Sequence, residues 1–317
     1  MKIAILDDYA GVALDYANWD GLGEVTAFSD TLPMGPELVT RLKPFDVLCV
    51  MRERTPLPGD LIRALPNLKL IVSSGPKNVS IDLAAARAAG ITVCGTQSRK
   101  TTTSELALLM ILALNRQLMP NVASLQAGRW QGPLGRDLAG LTLGLVGLGS
   151  IGAQVAALGK GLGMEVCAWS QNLTQDRARE VGAERMPSLH ALMARSDVVS
   201  VHLVLSERTR GLIGASEFAA MKPDSVFVNT SRAEIVDTDA MIKGLHAGKP
   251  AAAGVDVFDI EPIPEGHKLL DERLIGDGKL LLTPHLGYAT AATLQLFYQQ
   301  MAEAVQSWMS GKPIRQM

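Results

Sequence analysis

Short apolar runs alternate with helical patterns along most of this chain. In the first hundred residues, five such runs predict strands, and amphipathic segments lie between them. The predicted strands are Ile3–Leu6, Glu24–Phe28, Val47–Met51, Leu70–Ser73 and Ile91–Cys94. The predicted helices include Pro36–Leu42, Gly59–Leu65 and Asp82–Ala89. Repeated β-α units of this kind are typical of a parallel, doubly wound sheet.

A second β-α series begins at Leu143. Its predicted strands are Leu143–Val146, Glu165–Trp169, Val198–Val201, Ser225–Asn229, Ala251–Val255 and Lys279–Leu282. Its predicted helices are Thr174–Val181, Leu189–Ala194, Ser216–Met221 and Asp239–Ala247. Between the two series we predict one apolar helix from Leu106 to Met119, followed by an extended, glycine-rich arm over 120–140.

The pattern therefore predicts an α/β chain with two doubly wound parallel-sheet domains, which suits a length of 317 residues. A final helix, Ala289–Met309, is apolar enough to dock onto existing structure, and the N-terminal domain is its expected partner. We predict a substrate-binding domain formed by residues 1–98 plus 289–317. A dinucleotide-binding domain would then occupy residues 99–288.

Composition narrows the class of protein. The net charge is −2 and no basic block is present, which gives no electrostatic support for binding nucleic acid or an anionic membrane. The three cysteines lie in or beside predicted strands and are expected to be buried in a reducing compartment, not paired or metal-bound. We find no signal-peptide pattern, and the longest strongly apolar run is too short for a bilayer. We expect a cytoplasmic, soluble protein without a metal site.

The motif GLGSIG, which begins at Gly147, has the form G-x-G-x-x-G with a predicted strand before it and a helix after it. In this context Gly147 permits a tight turn, Gly149 lets the backbone approach a pyrophosphate, and Gly152 allows close helix packing. The N–H groups of Ser150 and Ile151 would face the phosphates. The flanking pattern favours a dinucleotide site over a glycine-rich turn without function.

Three titratable or charged residues follow predicted strands of the second series: Arg232, Glu261 and His285. Ligands of open α/β sheets bind beyond the carboxyl ends of the strands. Histidine can act as acid or base near neutrality, a carboxylate can fix its tautomer, and arginine can bind a substrate carboxylate. Each residue alone could be a surface ion-pair partner or a packed loop residue. Together they predict hydride-transfer chemistry.

Four motifs in this order closely resemble the D-isomer-specific 2-hydroxyacid dehydrogenases. They are GLGSIG, NTSRAEIVD (Asn229–Asp237), GVDVFDIEP (Gly254–Pro262) and TPHLGY (Thr283–Tyr288). The resemblance covers nearly the whole chain and is strongest from Leu141 to Tyr288. It implies a flavodoxin-like substrate domain, a Rossmann-like cofactor domain, a cleft between them, and a homodimer. The dimerisation arm would be the 120–140 segment, which contains Trp130.

The resemblance also implies roles for residues. His285 would be the acid/base, Glu261 its carboxylate partner, and Arg232 the cation that orients the substrate. Further cofactor contacts are implied for Thr230, Ser231, Asp256 and Gly287.

The chain departs from the usual cofactor pattern after the predicted strand Glu165–Trp169. NAD sites have an acid here, and NADP sites have an arginine nearby. This chain has Ser170 and Gln171, which could hydrogen-bond either ribose form. Arg177 and Arg179 are predicted on the next helix and need not reach the ribose. The sequence therefore leaves NAD and NADP open.

A second departure concerns the substrate. Related proteins usually have a turn of small residues whose N–H groups bind the substrate carboxylate; here Pro76, which has no N–H, follows Ser74 and Gly75. Lys77 adds a charge to this turn, and Arg52 follows another strand of the same domain. We predict that these residues bind substrate. Alternatively, Lys77 points to solvent and Arg52 pairs with Glu53 or another surface acid.

The leading interpretation is an NAD(P)-dependent oxidoreductase that transfers a hydride between nicotinamide and C2 of a small 2-hydroxy or 2-oxo acid, such as a glyoxylate or hydroxypyruvate reductase. A D-3-phosphoglycerate dehydrogenase-like enzyme is an alternative, with Arg52 or Lys77 binding the phosphate. Another alternative is a non-catalytic, dinucleotide-sensing binding protein of the same fold.

Overall fold

A computed structural model describes residues 1–317. The chain forms two compact units. The first unit contains Met1–Arg99 and Ala289–Met317, and the second contains Lys100–Tyr288. Each unit is built around one parallel sheet with helices.

The strands, in chain order, are β1 (Lys2–Ile5), β2 (Glu24–Ala27), β3 (Val47–Val50), β4 (Leu70–Ser73), β5 (Thr92–Gly95), β6 (Thr142–Val146), β7 (Glu165–Trp169), β8 (Glu184–Arg185), β9 (Val198–Val201), β10 (Val226–Asn229), β11 (Ala252–Val255) and β12 (Leu280–Leu282).

The helices are α1 (Ala13–Tyr16), α2 (Pro36–Leu42), α3 (Gly59–Arg63), α4 (Leu83–Ala88), α5 (Thr102–Asn115), α6 (Leu118–Gln126), α7 (Ser150–Gly161), α8 (Gln175–Val181), α9 (Leu189–Arg195), α10 (Ala215–Ala220), α11 (Thr238–Ala247), α12 (Glu272–Gly276) and α13 (Ala291–Met309).

The first sheet has the order β2-β1-β3-β4-β5, and every pairing is parallel. This is the flavodoxin-like order, with its switch point between β1 and β3. Strands β3 and β4 are buried along their whole length, as expected where helices cover both faces of a parallel sheet. Helix α13 belongs to this unit: Phe297 and Tyr298 are buried, and the Tyr298 hydroxyl donates to Asp8 at 2.9 Å.

The second sheet has the order β12-β11-β10-β9-β6-β7-β8, again parallel throughout. Counted from β6, this is the Rossmann order extended by a seventh strand. Helix ends follow the local sequence: the Thr174 side chain caps α8, and Gly182 ends that helix in the left-handed conformation with a φ of 68°. The predicted fold class is confirmed in both units.

The prediction of one helix from Leu106 to Met119 was wrong. Helix α5 ends at Asn115, and α6 starts at Leu118. Gln117 lies between them with a φ of 52°, a left-handed conformation that cannot continue a right-handed helix. The arm predicted to be extended over 120–140 is therefore helical in its first part.

Three short elements were not predicted at all: α1, β8 and α12. They span two to five residues each, and none carries a continuous apolar run. No single helix is long and apolar enough to cross a bilayer, and only α5 and α6 taken together, with a 63° bend, meet those criteria.

The three cysteines, Cys49, Cys94 and Cys167, are buried free thiols. Burial raises the pKa of Cys49 to about 12, which keeps this thiol protonated at neutral pH. The structure thus supports the interpretation of the cysteines as small buried residues.

Candidate active site

A histidine and a glutamate form a hydrogen-bonded pair at the carboxyl edge of the second sheet. His285 Nδ1 lies 2.9 and 2.8 Å from the two carboxylate oxygens of Glu261. Both side chains are 17 % exposed. The backbone N–H of Phe258 donates to Glu261 Oε1 at 2.8 Å, which fixes the carboxylate. Because Nδ1 is bound to Glu261, proton exchange with a ligand would use Nε2.

The backbone of His285 is unusual as well. Its φ is 51°, a left-handed value that residues other than glycine seldom adopt. Such conformations are concentrated at functional sites, where the surrounding structure holds them in place.

Asp256 supplies that support. It follows β11, is 0 % exposed, and accepts hydrogen bonds from the Thr283 hydroxyl at 2.6 Å and from the N–H groups of Leu286 (2.6 Å) and Gly287 (2.9 Å). Burial raises the pKa of its carboxyl, while these hydrogen bonds and the nearby His285 act to lower it. Asp256 anchors the loop that carries His285. Its contact with a cofactor stays a prediction, as does that of Gly287.

The loop after β10 carries Arg232. The Asn229 side chain accepts from the N–H of Ser231 and donates to the carbonyl of Arg232, each at 3.0 Å. Arg232 Nη1 donates to the carbonyl of Ser231 at 2.8 Å. Since β10, β11 and β12 are neighbours in the sheet, Arg232, Asp256 and His285 follow adjacent strands. The Thr230 hydroxyl in this loop is buried and has no hydrogen-bond partner.

The glycine turn after β6 shows why glycine is needed at two of its three glycine positions. Gly147 has a φ of 106°, and a Cβ there would lie 2.6 Å from the carbonyl oxygen of His202. A Cβ at Gly152 would overlap the carbonyl of Gly147. A Cβ at Gly149 would meet nothing within 4 Å, so this residue faces open space. The start of α7, at Ser150 and Ile151, therefore has room for an anion beside its unbonded N–H groups.

A cavity of about 490 Å³ in the second unit adjoins this turn. Ser170 and Gln171 line it together with Gly147 and Gly149, so the structure gathers these predicted cofactor residues in one place. His202 also lines the cavity; its Nε2 is buried without a partner, and burial lowers its pKa to about 4. The open turn, the cavity and the unpaired polar atoms fit a dinucleotide.

One feature of this cavity was not predicted from the sequence. The loop after β9 forms one wall, and it contributes Arg208 and Thr209. No motif marks these residues, because the loop is far along the chain from the glycine turn.

In the first unit, the loops after β3 and β4 are tied together by uncharged groups. The N–H of Arg52 donates to the Ser74 hydroxyl at 2.8 Å, and the N–H of Gly75 donates to the Thr96 hydroxyl at 2.7 Å. Buried Asn78 donates from Nδ2 to the carbonyl of Arg52 at 2.5 Å and to the Ser73 hydroxyl at 2.9 Å. Asn78 was not singled out from the sequence, since its role appears only once the loops are folded.

Arg52 has a φ of 52°, and its guanidinium packs against Gly75, where any Cβ would overlap it. Arg52 Nε lies 3.8 Å from the Glu53 carboxylate, a weak version of the alternative pairing expected from the sequence. Lys77 is exposed. Because the N–H of Gly75 is bonded to Thr96 and Pro76 has none, the turn offers a ligand the N–H groups of Lys77 and Asn78 instead.

Residues 108–287 match the family model described as D-isomer specific 2-hydroxyacid dehydrogenase, NAD binding domain. The chain is 32 % identical to D-3-phosphoglycerate dehydrogenase of Archaeoglobus fulgidus, over 99 % of this chain and only 58 % of that protein. It is also 32 % identical to glyoxylate reductase of Korarchaeum cryptofilum, over 91 % of this chain and 87 % of that protein. The structure of phosphoglycerate oxidoreductase from Vibrio cholerae O395 is similar, with a TM-score of 0.91 and 38 % identity over 98 % of this chain and 99 % of that one.

Proposed function

Because this chain belongs to the family of D-isomer specific 2-hydroxyacid dehydrogenases, we propose that it interconverts small 2-oxo acids and 2-hydroxy acids with a nicotinamide dinucleotide. It is an oxidoreductase that acts on the CH–OH group of its donor. The Glu261–His285 pair carries this proposal, because it places a proton donor at the carboxyl edge of the sheet that also carries the glycine turn. The favoured substrates are glyoxylate and hydroxypyruvate.

When bound, the nicotinamide supplies the hydride that reduces C2 of the 2-oxo acid. His285 donates a proton from Nε2 to the substrate oxygen in reduction and accepts it back in oxidation. Glu261 keeps the proton of His285 on Nδ1 and stabilises the imidazolium. Arg232 binds the substrate carboxylate and polarises the C2 carbonyl.

The cofactor is held by residues of the second unit. The glycine turn and the start of α7 hold the pyrophosphate, Ser170 and Gln171 bind the adenosine ribose, and the loops after β10 and β12 line the nicotinamide end. The residues assigned to these contacts are Gly147, Gly149, Ser150, Ile151, Gly152, Ser170, Gln171, Thr230, Ser231, Asp256 and Gly287.

The loops of the first unit bind the substrate. Arg52 and Lys77 supply positive charge, Ser74 and Gly75 shape the turn, and the N–H groups of Lys77 and Asn78 are its hydrogen-bond donors to the substrate. The bond from the Arg52 N–H to Ser74 fixes the backbone of this residue, so the loop that carries the guanidinium loses little conformational freedom on binding.

A homodimer is part of the proposal. Large apolar side chains are exposed on α5, on α6 and in the arm that follows, and Trp130 is 82 % exposed. Clustered exposed apolar residues mark interaction surfaces. Light scattering should give twice the chain mass, and Trp130→Ala should shift the protein toward the monomer.

Localisation in the cytoplasm remains a prediction.

A phosphoglycerate dehydrogenase-like activity is the second candidate. Exposed Lys77 and nearby Arg52 favour it, because together they could pair with the phosphate of a phosphorylated substrate.

The test is turnover of a 2-oxo acid panel with both NADH and NADPH. The panel contains glyoxylate, hydroxypyruvate, pyruvate and 3-phosphohydroxypyruvate. We expect turnover of glyoxylate or hydroxypyruvate, lost in His285→Ala. Preference for the phosphorylated acid would favour the second candidate. Cofactor binding without turnover of any acid would overturn both and support a dinucleotide-sensing protein.

A further inference from the structure

The cavity beside the glycine turn extends past the end of β7. It is lined there by the uncharged side chains of Ser170, Gln171 and Asn172. In Rossmann-like domains this position receives the ribose of the adenosine, one strand away from the pyrophosphate turn. The inference that follows rests on the proposed function, because it assumes that the dinucleotide occupies this cavity.

The charged residues that line the cavity have one sign. Arg177 and Arg208 line the cavity, whereas no aspartate or glutamate does. NAD-specific sites place a carboxylate where it accepts hydrogen bonds from the ribose hydroxyls and repels a 2′-phosphate. That repulsive element is missing here, and two guanidinium groups are present in its stead.

Arg177 lies on α8 and is directed toward the glycine turn. Its Nε donates to the carbonyl of Leu148 at 3.4 Å, and its Nη1 lies 3.1 Å from the Glu180 carboxylate. The ion pair with Glu180 is on the surface, with Arg177 43 % exposed, and such pairs contribute little. A phosphate dianion can therefore compete for the guanidinium.

Arg208 approaches from the other wall. The carbonyl of Arg208 accepts a long hydrogen bond, 3.4 Å, from Gln171 Nε2, which connects the loop after β9 to the end of β7. The guanidinium of Arg208 is on an exposed residue that lines the cavity. Two arginines from separate elements thus line the same cavity.

We propose that this chain binds NADP(H) in preference to NAD(H), and that Arg177 and Arg208 are the residues that select the 2′-phosphate. Ser170, Gln171 and Asn172 contribute neutral hydrogen-bond donors to the phosphate oxygens. Arginine suits this task because its planar guanidinium pairs with phosphate through parallel hydrogen bonds.

The test is equilibrium binding, measured by isothermal titration calorimetry and separate from turnover. NADPH and NADH are titrated into the full-length protein, together with 2′,5′-ADP and 5′-ADP, which lack the nicotinamide. We expect NADPH to bind at least about tenfold more tightly than NADH, and 2′,5′-ADP to bind more tightly than 5′-ADP by a similar factor.

Variants assign the effect to residues. Arg177→Ala and Arg208→Ala should each raise the Kd of NADPH by about tenfold, which is about 1.4 kcal/mol, and leave the Kd of NADH within about twofold. Arg179→Ala is the matched control, because Arg179 is on the same helix, is 72 % exposed and does not line the cavity. Ser170→Asp introduces the carboxylate that is missing here. It should raise the Kd of NADPH and leave the Kd of NADH unchanged.

Equal or tighter binding of NADH to the unmodified protein would overturn the preference and leave the proposed function intact. NADPH binding that is unchanged in both arginine variants would overturn the residue assignment. Failure of both dinucleotides to bind would overturn the proposed function, and the inference with it.

Discussion

The carboxyl ends of the two sheets hold their charged residues in different ways. Each sheet places a non-glycine residue in the left-handed conformation after a strand: Arg52, with a φ of 52°, and His285, with a φ of 51°. In the first unit, uncharged Ser74 and Asn78 hold the Arg52 loop. In the second unit, carboxylates hold the histidine and its loop.

This difference indicates that the two units have different tasks. The first unit positions groups of fixed charge, and the second carries groups that can exchange protons. Hydroxyl and amide groups keep the same charge at all moderate pH values, so the first unit can present a fixed cation and fixed N–H groups. Carboxylates beside a histidine stabilise its protonated form and set its tautomer. All five histidines of the chain lie in the second unit, and none in the first. The proton transfer that we propose is therefore assigned to the second unit.

The largest effect should come from His285→Ala. We expect kcat to fall by about a thousandfold, because general acid–base catalysis contributes about 10²- to 10⁴-fold. Cofactor affinity should be unchanged. His246→Ala is the control, since His246 is a half-exposed histidine bound to Asp271 on the surface. If His285→Ala retained near-full turnover, proton transfer could not be assigned to His285, and the proposed difference between the two sheet ends would be wrong.

Next is the acid sensitivity of the second unit. Burial lowers the pKa of His202 to about 4, so its imidazole stays neutral in the folded protein down to that pH. In the unfolded chain the same imidazole takes up a proton below about pH 6.5. Stability is therefore lost as the pH falls from about 6.5 to 4, by up to about 3 kcal/mol. Urea unfolding of wild type and His202→Asn at pH 7 and 4.5 should show a smaller loss in the variant. An equal loss of stability in the wild type and in the variant would contradict this prediction.

Glu261→Gln should lower kcat by about a hundredfold, the lower end of the range for general acid–base catalysis, because His285 remains while its tautomer is no longer fixed. KM should stay within about twofold, because Glu261 acts through His285 and not on the substrate. Pre-steady-state and steady-state kinetics separate the two constants. A rise in KM with unchanged kcat would instead place Glu261 in substrate binding.

Asn78→Ala probes the uncharged supports of the first unit. The variant leaves the carbonyl of Arg52 and the Ser73 hydroxyl without this donor, and an unsatisfied buried polar group costs about 1–3 kcal/mol. We expect lower thermal stability and a higher KM, with kcat nearly unchanged. Asn67→Ala, which removes an exposed hydrogen bond to Lys43, is the control. An effect on kcat alone would mean that this loop is more than a support.

The smallest effect should come from Lys77→Ala. Lys77 is exposed, so solvent screens its charge, and we expect KM for the preferred 2-oxo acid to rise by less than about fivefold. Lys43→Ala, also exposed in the first unit, should leave KM unaltered. If Lys77→Ala leaves KM unchanged for every accepted 2-oxo acid, Lys77 has no part in substrate binding.

Sheet strands were predictable because they are buried on both faces and read as continuous apolar runs. The predicted bounds of Leu70–Ser73 and Glu165–Trp169 are those of β4 and β7. The break at Gln117 was not predicted, since apolar residues resume at Leu118 and neither glycine nor proline stands between the two helices.

The same limit applies to the site. The glycine turn, Arg232, Glu261 and His285 were visible because each lies in a motif that begins within or just after a strand. Arg208 and Asn78 were not, because their roles depend on contacts with loops elsewhere in the chain. Gln171 meets the carbonyl of Arg208 across 37 positions, and Asn78 meets that of Arg52 across 26.

Helix α13 also sets the order in which the protein can mature during synthesis. Its Tyr298 hydroxyl binds Asp8, a residue 290 positions earlier, and Phe297 is buried beside it. Residues 1–99 emerge from the ribosome before α13. The apolar surface that α13 covers therefore stays exposed until the second unit has been translated. Contacts so distant in sequence form slowly, and the uncovered surface is of the kind that chaperones shield. The first unit therefore completes its core only after the second unit has been synthesised.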